Sequence, residues 1–473
     1  MNLMQNPVSA GASFSERLLT LFLDYPARRI STSALQATRL CIKDTIGVAL
    51  AGAAVGVGTA GMRVALEAGG TGESAVWGAG AGAGRTDAAL ANGMLAHALD
   101  FDDTHPAAIM HASAVNIPVA LAVGEAIKAP ADEVLSATVL SYEISARLGR
   151  IGAGPFQNHG FQSTAVLGVF AATFIAARLL KVSPRVARDA MGIAGSMASG
   201  LMEYLSDGTD VKQMHPGWAA QSGIRAVQLA RAGLTGPATV LEGRFGVFKT
   251  YADLEIDPES VLAFDGSRFE VEEVAPKPYP ACLCVHPMVQ AALELRERGV
   301  LSRMDAVEEI HCEVPQWYVD LVFEPATQKA AARNAYEGRF SAPFCIARAA
   351  LDGKLGVPSF LPNKIADPDV AAVARKVTYH ARPFAEFPET FPALLRVRMK
   401  DGSEHEALVA HNLGSAKNPM GASGVDAKFR DNTIFAIDAT AADRLDSAIQ
   451  SLGLETPIDG LWAALREAKL PQH

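Results

Sequence analysis

Three stretches of this chain concentrate groups that can move protons or hold anions. The first runs His97-Ala98-Leu99-Asp100-Phe101-Asp102-Asp103-Thr104-His105-Pro106 and continues to His111-Ala112-Ser113. It packs three carboxylates and three imidazoles into 15 residues at the end of an Ala-rich helical stretch, where solvation alone does not call for them. An imidazole exchanges protons near neutral pH, and a neighbouring carboxylate fixes its tautomer and raises its basicity, so the functional reading is general acid–base chemistry. Two other readings fit the same residues. One is an acidic helix end with histidines as caps or surface groups. The other is a divalent metal site, although no fixed ligand pattern such as H-E-x-x-H is present.

The second stretch, Asp207-Gly208-Thr209-Asp210-Val211-Lys212-Gln213-Met214-His215-Pro216-Gly217-Trp218, sets Lys212 and His215 three residues apart beside Gly and Pro. It reads either as an ordinary exposed loop or as a loop aimed at a ligand, with Lys212 a point charge for a carboxylate. The third is Pro276-Lys277-Pro278-Tyr279-Pro280-Ala281-Cys282-Leu283-Cys284-Val285-His286-Pro287. Its prolines restrict φ and hold the segment extended, which would present Lys277 on a stiff frame. A C-x-C-x-H triplet without a partner pair is a weak zinc signal, so a rigid substrate-facing loop is the better reading of Cys282 and His286.

Something must position these groups. With 473 residues the chain exceeds what one core supports, and two domains are expected. Hydrophobic residues are 49% and charged ones 20%, which excludes global disorder. From Ser15 to about Tyr251, Ala- and Leu-rich segments of helical length recur: Thr32 to Ala51, Arg85 to Leu99, Ala114 to Lys128, Ala131 to Leu148, Ser163 to Lys181, Pro184 to Tyr204 and Ala219 to Ala232. Their small residues permit close approach, so a buried helical bundle follows. β-branched or alternating runs then appear at Ile310 to Val314, Val377 to His380 and Leu394 to Met399, the last leading through Asp401-Gly402 into His405 to Val409. The expected divisions are a helical domain over 1–267, a smaller α+β domain over 268–408, and a return segment over 409–473 whose helical stretch Ala441 to Ala468 packs on the bundle. Gly78 to Gly84 alternates Gly with Ala but lacks the dinucleotide fingerprint, and reads as a loop between helices.

A net charge of −9 argues against nucleic acid or an anionic membrane as the main partner. Five scattered cysteines suit a reducing compartment. Met1 to Ser15 shows no signal-peptide pattern, and Ala165 to Ala177 is shorter than the ~20 residues a membrane span needs. A cytoplasmic protein is expected.

Taken together and in order, these motifs resemble the MmgE/PrpD family, which includes 2-methylcitrate dehydratases, cis-aconitate decarboxylases and iminodisuccinate epimerases. The resemblance runs nearly end to end: Asp44-Thr45-Ile46-Gly47, Asn92-Gly93 through Asp103-Thr104, His111-x-Ser113, the Asp207 to Gly217 loop, Lys277-Pro278-Tyr279-Pro280 with Cys282 and His286, Arg339-Phe340-Ser341, Asp401-Gly402, Asn418-Pro419 and Lys428-Phe429. It implies a mainly α fold, with a large all-helical domain made by both chain ends and a smaller inserted α+β lid domain. It further implies a homodimer and an active site between the domains that uses no metal and no other cofactor. The residues matching its active-site motifs are Asp100, Thr104, His111, Lys212 and Lys277, with Cys282 and His286 at the edge of the last motif.

One position departs. The family commonly places His after the Gly-Phe pair, and here Gly160-Phe161 is followed by Gln162, which can hydrogen-bond but carries no proton at neutral pH. His159 is a candidate substitute. The implied chemistry is a carbanion made or protonated next to a carboxylate. Lys212 and Lys277 would anchor carboxylates, His111 oriented by Asp100 would move the proton, and Thr104, Gln162, His215, Cys282 and His286 would line the substrate. Dehydration of a 2-methylcitrate-like substrate is the leading expectation, by analogy. Decarboxylation or epimerisation are the alternatives, and a catalytically silent carboxylate-binding protein is the rival from another class.

Overall fold

The computed structural model describes residues 11–471 except 71, 388 and 389. Residues 1–10, which hold most of the stretch searched for a signal peptide, lie outside the described residues. The chain forms two compact units. One comprises residues 11–98, 102–274 and 432–471; the other comprises 99–101 and 275–431. These divisions fall at 274/275, just after the short turn Glu270–Glu273 that packs on helices of the first unit, and at 431/432.

The first unit is helical. In chain order its longer elements are α1 (Phe14–Phe22), α2 (Thr32–Ala54), α3 (Thr59–Glu67), β1 (Ser74–Val76), β2 (Ala81–Ala83), α4 (Arg85–His97), α5 (Ser113–Ile127), α6 (Ala131–Gly152), α7 (Ser163–Leu179), α8 (Pro184–Gly195) and α9 (Met214–Arg231). Ser13 starts α1 through a capping box with Glu16, and the Ser31 hydroxyl caps α2 by accepting from Ala34 N–H. Helices α5 and α7 are buried on nearly every face, which is why they read as continuous apolar runs rather than amphipathic stripes. Where α4 crosses α9 the backbones touch. A Cβ on Gly93 would come 2.8 Å from Gly217 Cα, and one on Gly217 would come 2.4 Å from Leu90 O. This glycine contact fixes the distance between the end of α4, which carries His97, and the start of α9, which carries His215.

Two expectations need correction. Gly78 to Gly84 is more than a loop: Ala81–Ala83 pairs antiparallel with Ser74–Val76, and positive φ at Gly78 and Gly80 makes the reversal between them. Nor is Pro184 to Tyr204 one helix, since α8 ends at Gly195. There, a Cβ would lie 2.2 Å from a Val240 methyl, so the close approach reserves the position for glycine.

The second unit is α+β. After 99–101 its chain enters α10 (His286–Glu297), β3 (Val307–Val314), α11 (Ala342–Asp352), α12 (Pro368–Ala374), β4 (Val377–Ala381), β5 (Ala393–Met399) and β6 (Glu404–Val409). The sheet order is β4-β3-β5-β6, with β3–β4 parallel and the other pairs antiparallel. Asp401-Gly402 makes the β5–β6 turn, with Gly402 at φ +85 and the Asp401 carboxylate accepting from Ser403 N–H at 2.9 Å. Alternation along β5 buries Leu395 and Val397 against α10 and leaves Arg396 and Arg398 to pair with glutamates on the open face. Helix α13 (Gly421–Thr433) returns the chain to the first unit, where α14 (Ala439–Gln450) and α15 (Asp459–Glu467) pack on α2 and β1. Among the described residues no single helix is long and apolar enough to cross a membrane.

Candidate active site

In the first unit the loop after α4 folds back on itself, with His105 and Met110 exchanging backbone hydrogen bonds and Ile109 left-handed at φ +49. This hairpin brings His111 beside the end of α4. His97 Nδ1 lies 2.8 Å and His111 Nδ1 3.2 Å from the same oxygen, Oδ2 of Asp102. The two imidazoles meet edge to face at 4.8 Å. His97 and Asp102 have no exposed side-chain surface, whereas His111 retains 16%. Asp100, expected to orient His111, pairs with Lys277, and the carboxylate beside His111 Nδ1 is that of Asp102.

Protonation follows from the partners. His111 Nδ1 also lies 3.0 Å from the backbone carbonyl of Asp103, which only accepts, so Nδ1 carries a proton. Burial would raise the Asp102 carboxyl, but the two imidazoles beside it outweigh that and hold it well below the usual range, so it is ionised. Burial pushes His97 down to about 4 despite Asp102, and it is neutral near pH 7.

Behind the loop a second chain of hydroxyls fixes Asp103. Ser113 Oγ donates to Asp103 Oδ2 at 2.6 Å and accepts from Tyr142 O–H, which is wholly buried. His111 N–H donates to Thr164 Oγ1 at 3.0 Å. The Thr104 hydroxyl is buried and, among the described residues, has no hydrogen-bond partner.

Gln162 sits inside this cluster. Its backbone N–H donates to Gly200 O at 3.0 Å, and its side-chain amide bridges His97 Nε2 at 3.2 Å and His215 Nδ1 at 2.5 Å. His215 is buried, and burial, with His97 and Lys212 nearby, pushes it down to about 4. The charge of Lys212, on a 3-10 turn before α9, therefore acts on both His97 and His215. His159 is no substitute for the missing imidazole: it is exposed and turned to the Tyr251 carbonyl at 3.0 Å.

The second unit holds the third motif. Lys277 is buried, and its Nζ donates to Asp100 Oδ2 at 3.1 Å and to Asp100 O at 3.0 Å. Asp100 is left-handed at φ +51, which turns its side chain away from the path of its neighbours. Lys428 Nζ donates to the next carbonyl, Phe101 O, at 2.7 Å and lies over the Phe101 ring. His286 donates from Nε2 to Ala281 O at 3.1 Å, and its buried Nδ1 has no partner among the described residues. Burial, then Lys277, pushes His286 down to about 3. A hydrogen bond with the buried Cys284 thiol draws partly exposed Cys282 below the ordinary thiol value. His97, Asp102, Asp103 and Lys428 were not among the site residues expected from sequence. The first three stand in the quoted His97 to Ser113 run, so the signal was present but not resolved by residue.

One group of donors is close enough to share an ion. The ligand atoms of His97, Asp102 and His111 lie within 4.8 Å of one another. The Asp103 carbonyl opposes that use, because it demands a proton on His111 Nδ1, one of the would-be ligand atoms. Cys282, Cys284 and His286 form no such group among the described residues.

The helical unit carries two imidazoles on one buried carboxylate, and the α+β unit carries a buried lysine paired with an aspartate. The chain belongs to the MmgE/PrpD family. The family's N-terminal domain matches residues 16–258 and its C-terminal domain residues 279–454. It is similar to the cis-aconitate decarboxylase of Homo sapiens, at 29% identity over 387 residues covering 78% of this chain and 76% of that protein. The mouse protein of the same name is 28% identical over 78% of this chain and 75% of its own length. The cis-aconitate decarboxylase of Aspergillus terreus is 26% identical over 92% of both chains.

Proposed function

We propose that this protein is a lyase that, without a metal or other cofactor, acts on a small molecule bearing two or three carboxylates through proton transfer at a carbon next to a carboxylate. The observation that carries this reading is the state of His111. Its Nδ1 proton is engaged by Asp102 and the Asp103 carbonyl, and among His97, His111 and His215 it is the one partly exposed imidazole. An imidazole backed by an ionised carboxylate can take up and return a proton at its outer nitrogen. That suits removal of an α-proton followed by loss of hydroxide, so a 2-methylcitrate dehydratase-like reaction is the leading form. Lys212 and Lys277 would hold the substrate carboxylates, with charge stabilisation of the carbanion as the main catalytic contribution. Thr104 would donate to a substrate oxygen, an assignment its unpartnered buried hydroxyl supports.

Decarboxylation of a cis-aconitate-like substrate is the second reading, favoured by the names of the similar proteins. It needs His111 protonated at the start, to deliver a proton to the product carbanion. Proton NMR of the purified protein with 2-methylcitrate, citrate, cis-aconitate and iminodisuccinate in D₂O separates these outcomes. Loss of water supports the dehydratase form, loss of CO₂ the second reading, and deuterium exchange without net product an epimerase. Silence across the panel would favour a carboxylate-binding protein without turnover. The homodimer implied by the family is part of the same proposal, and sedimentation tests it.

A further inference from the structure

Gln162 is a buried group for which the proposed proton transfer has no direct use, yet both ends of its amide are engaged. Its Nε2 faces His97 Nε2 at 3.2 Å, and its Oε1 faces His215 Nδ1 at 2.5 Å. An amide has fixed polarity: the nitrogen only donates and the oxygen only accepts. His97 Nε2 must therefore be the bare ring nitrogen, and its proton sits on Nδ1, where Asp102 Oδ2 accepts at 2.8 Å. His215 Nδ1 must carry the proton it gives to Gln162. Along Asp102, His97, Gln162 and His215 each contact then has one donor and one acceptor. A second proton on His97 would set two donors face to face, with no exposed side-chain surface on His97 to relieve it.

We propose that Gln162 is a positioning residue that keeps His97 neutral in its Nδ1–H form, so that of the two imidazoles sharing Asp102 only His111 takes up a proton. This rests on the reading of His111 as the proton carrier. The groups that face His97 come from several elements, and their balance favours the neutral ring. Asp102 and His111 come from the loop after α4, Gln162 from the turn before α7, His215 from the start of α9 and Lys212 from the turn preceding it. Asp102 alone favours a charged His97; burial, His111 and Lys212 oppose it. The consequence for the reaction is specific. Within this cluster, removal and return of a proton pass through one imidazole and hence reach one face of the substrate, which excludes a two-base exchange between His97 and His111.

The test uses the full chain labelled with ¹⁵N-histidine, in which ring-nitrogen shifts separate the Nδ1–H, Nε2–H and imidazolium forms. The His97→Asn variant assigns the His97 signals. In the unsubstituted protein His97 is expected as the Nδ1–H form from pH 5 to 8, with only about one tenth protonated at pH 5 for a group near 4. In Gln162→Glu a carboxylate oxygen replaces the opposing N–H donor, so His97 should titrate inside that window, with its protonated fraction at pH 6 rising from about 1% to more than half. Gln162→Met keeps the length and removes both hydrogen bonds. There His97 should populate both neutral tautomers, which preserves the test should a buried glutamate prevent folding. An Nε2–H or imidazolium His97 in the unsubstituted protein at pH 6 to 8 would overturn the proposal. So would an unchanged His97 in both variants. Turnover of His111→Ala decides separately the reading beneath it, since a loss below about tenfold would remove His111 as proton carrier while the NMR still reports on the lock.

Discussion

Replacing Asp102 with Asn tests the centre of the site, because it removes one charge and little volume. Asp102 Oδ2 lies 3.2 Å from His111 Nδ1, so a proton taken up at His111 forms an ion pair with it. At that separation and an effective dielectric near 20, the attraction is on the order of 5 kcal/mol. The His111 side chain is 16% exposed, and solvent screening reduces the useful part to about 2–3 kcal/mol. At about 1.4 kcal/mol per decade, kcat should fall about 10²-fold. The tautomers can survive the change, since an Asn oxygen placed at Oδ2 still accepts from both imidazoles. Its NH₂ group then occupies the Oδ1 position, which is buried and has no partner among the described residues, at a cost of about 1–3 kcal/mol in stability. Steady-state turnover normalised to the folded fraction, with urea melts of both proteins, measures the two effects separately. A kcat within about threefold of the parent, with Asp100→Asn losing far more, would refute the assignment of Asp102 as the carboxylate behind His111.

Lys277→Ala should abolish saturable substrate binding and also lower the urea midpoint of unfolding, because it leaves the buried Asp100 carboxylate without its ammonium. The Lys277→Met, Asp100→Asn pair should recover most of the stability and none of the binding, as titration calorimetry would show. Stability of the helical unit should rise with pH between about 4.5 and 6.5. His97 and His215, held near 4 by burial, take up protons on unfolding, while Glu143, which burial raises to about 7, gives one up. The net of one proton corresponds to about 1.4 kcal/mol per pH unit. Glu143→Gln removes the opposing group, whose stabilising effect is present below its unfolded value and lost as pH rises through about 7, so the slope should roughly double in urea melts at pH 5, 5.5 and 6. A chelator should leave turnover unchanged, and loss of activity restored by zinc would convert His97, Asp102 and His111 into a metal site.

Much of the fold was legible in the residues. Six helices begin within a residue or so of the expected positions at Thr32, Arg85, Ala114, Ala131, Ser163 and Pro184, and the Ser31 and Ser183 caps write two of those starts in local chemistry. The strands of the second unit were legible for the same reason, with alternation along β5 and the Asp401-Gly402 turn fixing both face and register. The density of imidazoles and carboxylates between His97 and His111 marked the chemistry.

From sequence, Asp100 was the acid expected behind His111. Asp100, Asp102 and Asp103 are the same side chain within four positions, and nothing local distinguishes them. Tertiary structure separates them. Left-handed backbone at Asp100 sends its carboxylate to Lys277, 177 residues away, while Asp102 stays under the two imidazoles and Asp103 offers its carbonyl to His111. Gln162 was visible only as a departure from a pattern. Its meaning depends on His97 and His215, 65 and 53 residues distant, and on the glycine contact that brings α4 and α9 close enough for one amide to span both rings. Residue types determine which proton-transfer chemistry is available, and the three-dimensional path of the chain determines which nitrogen holds the proton.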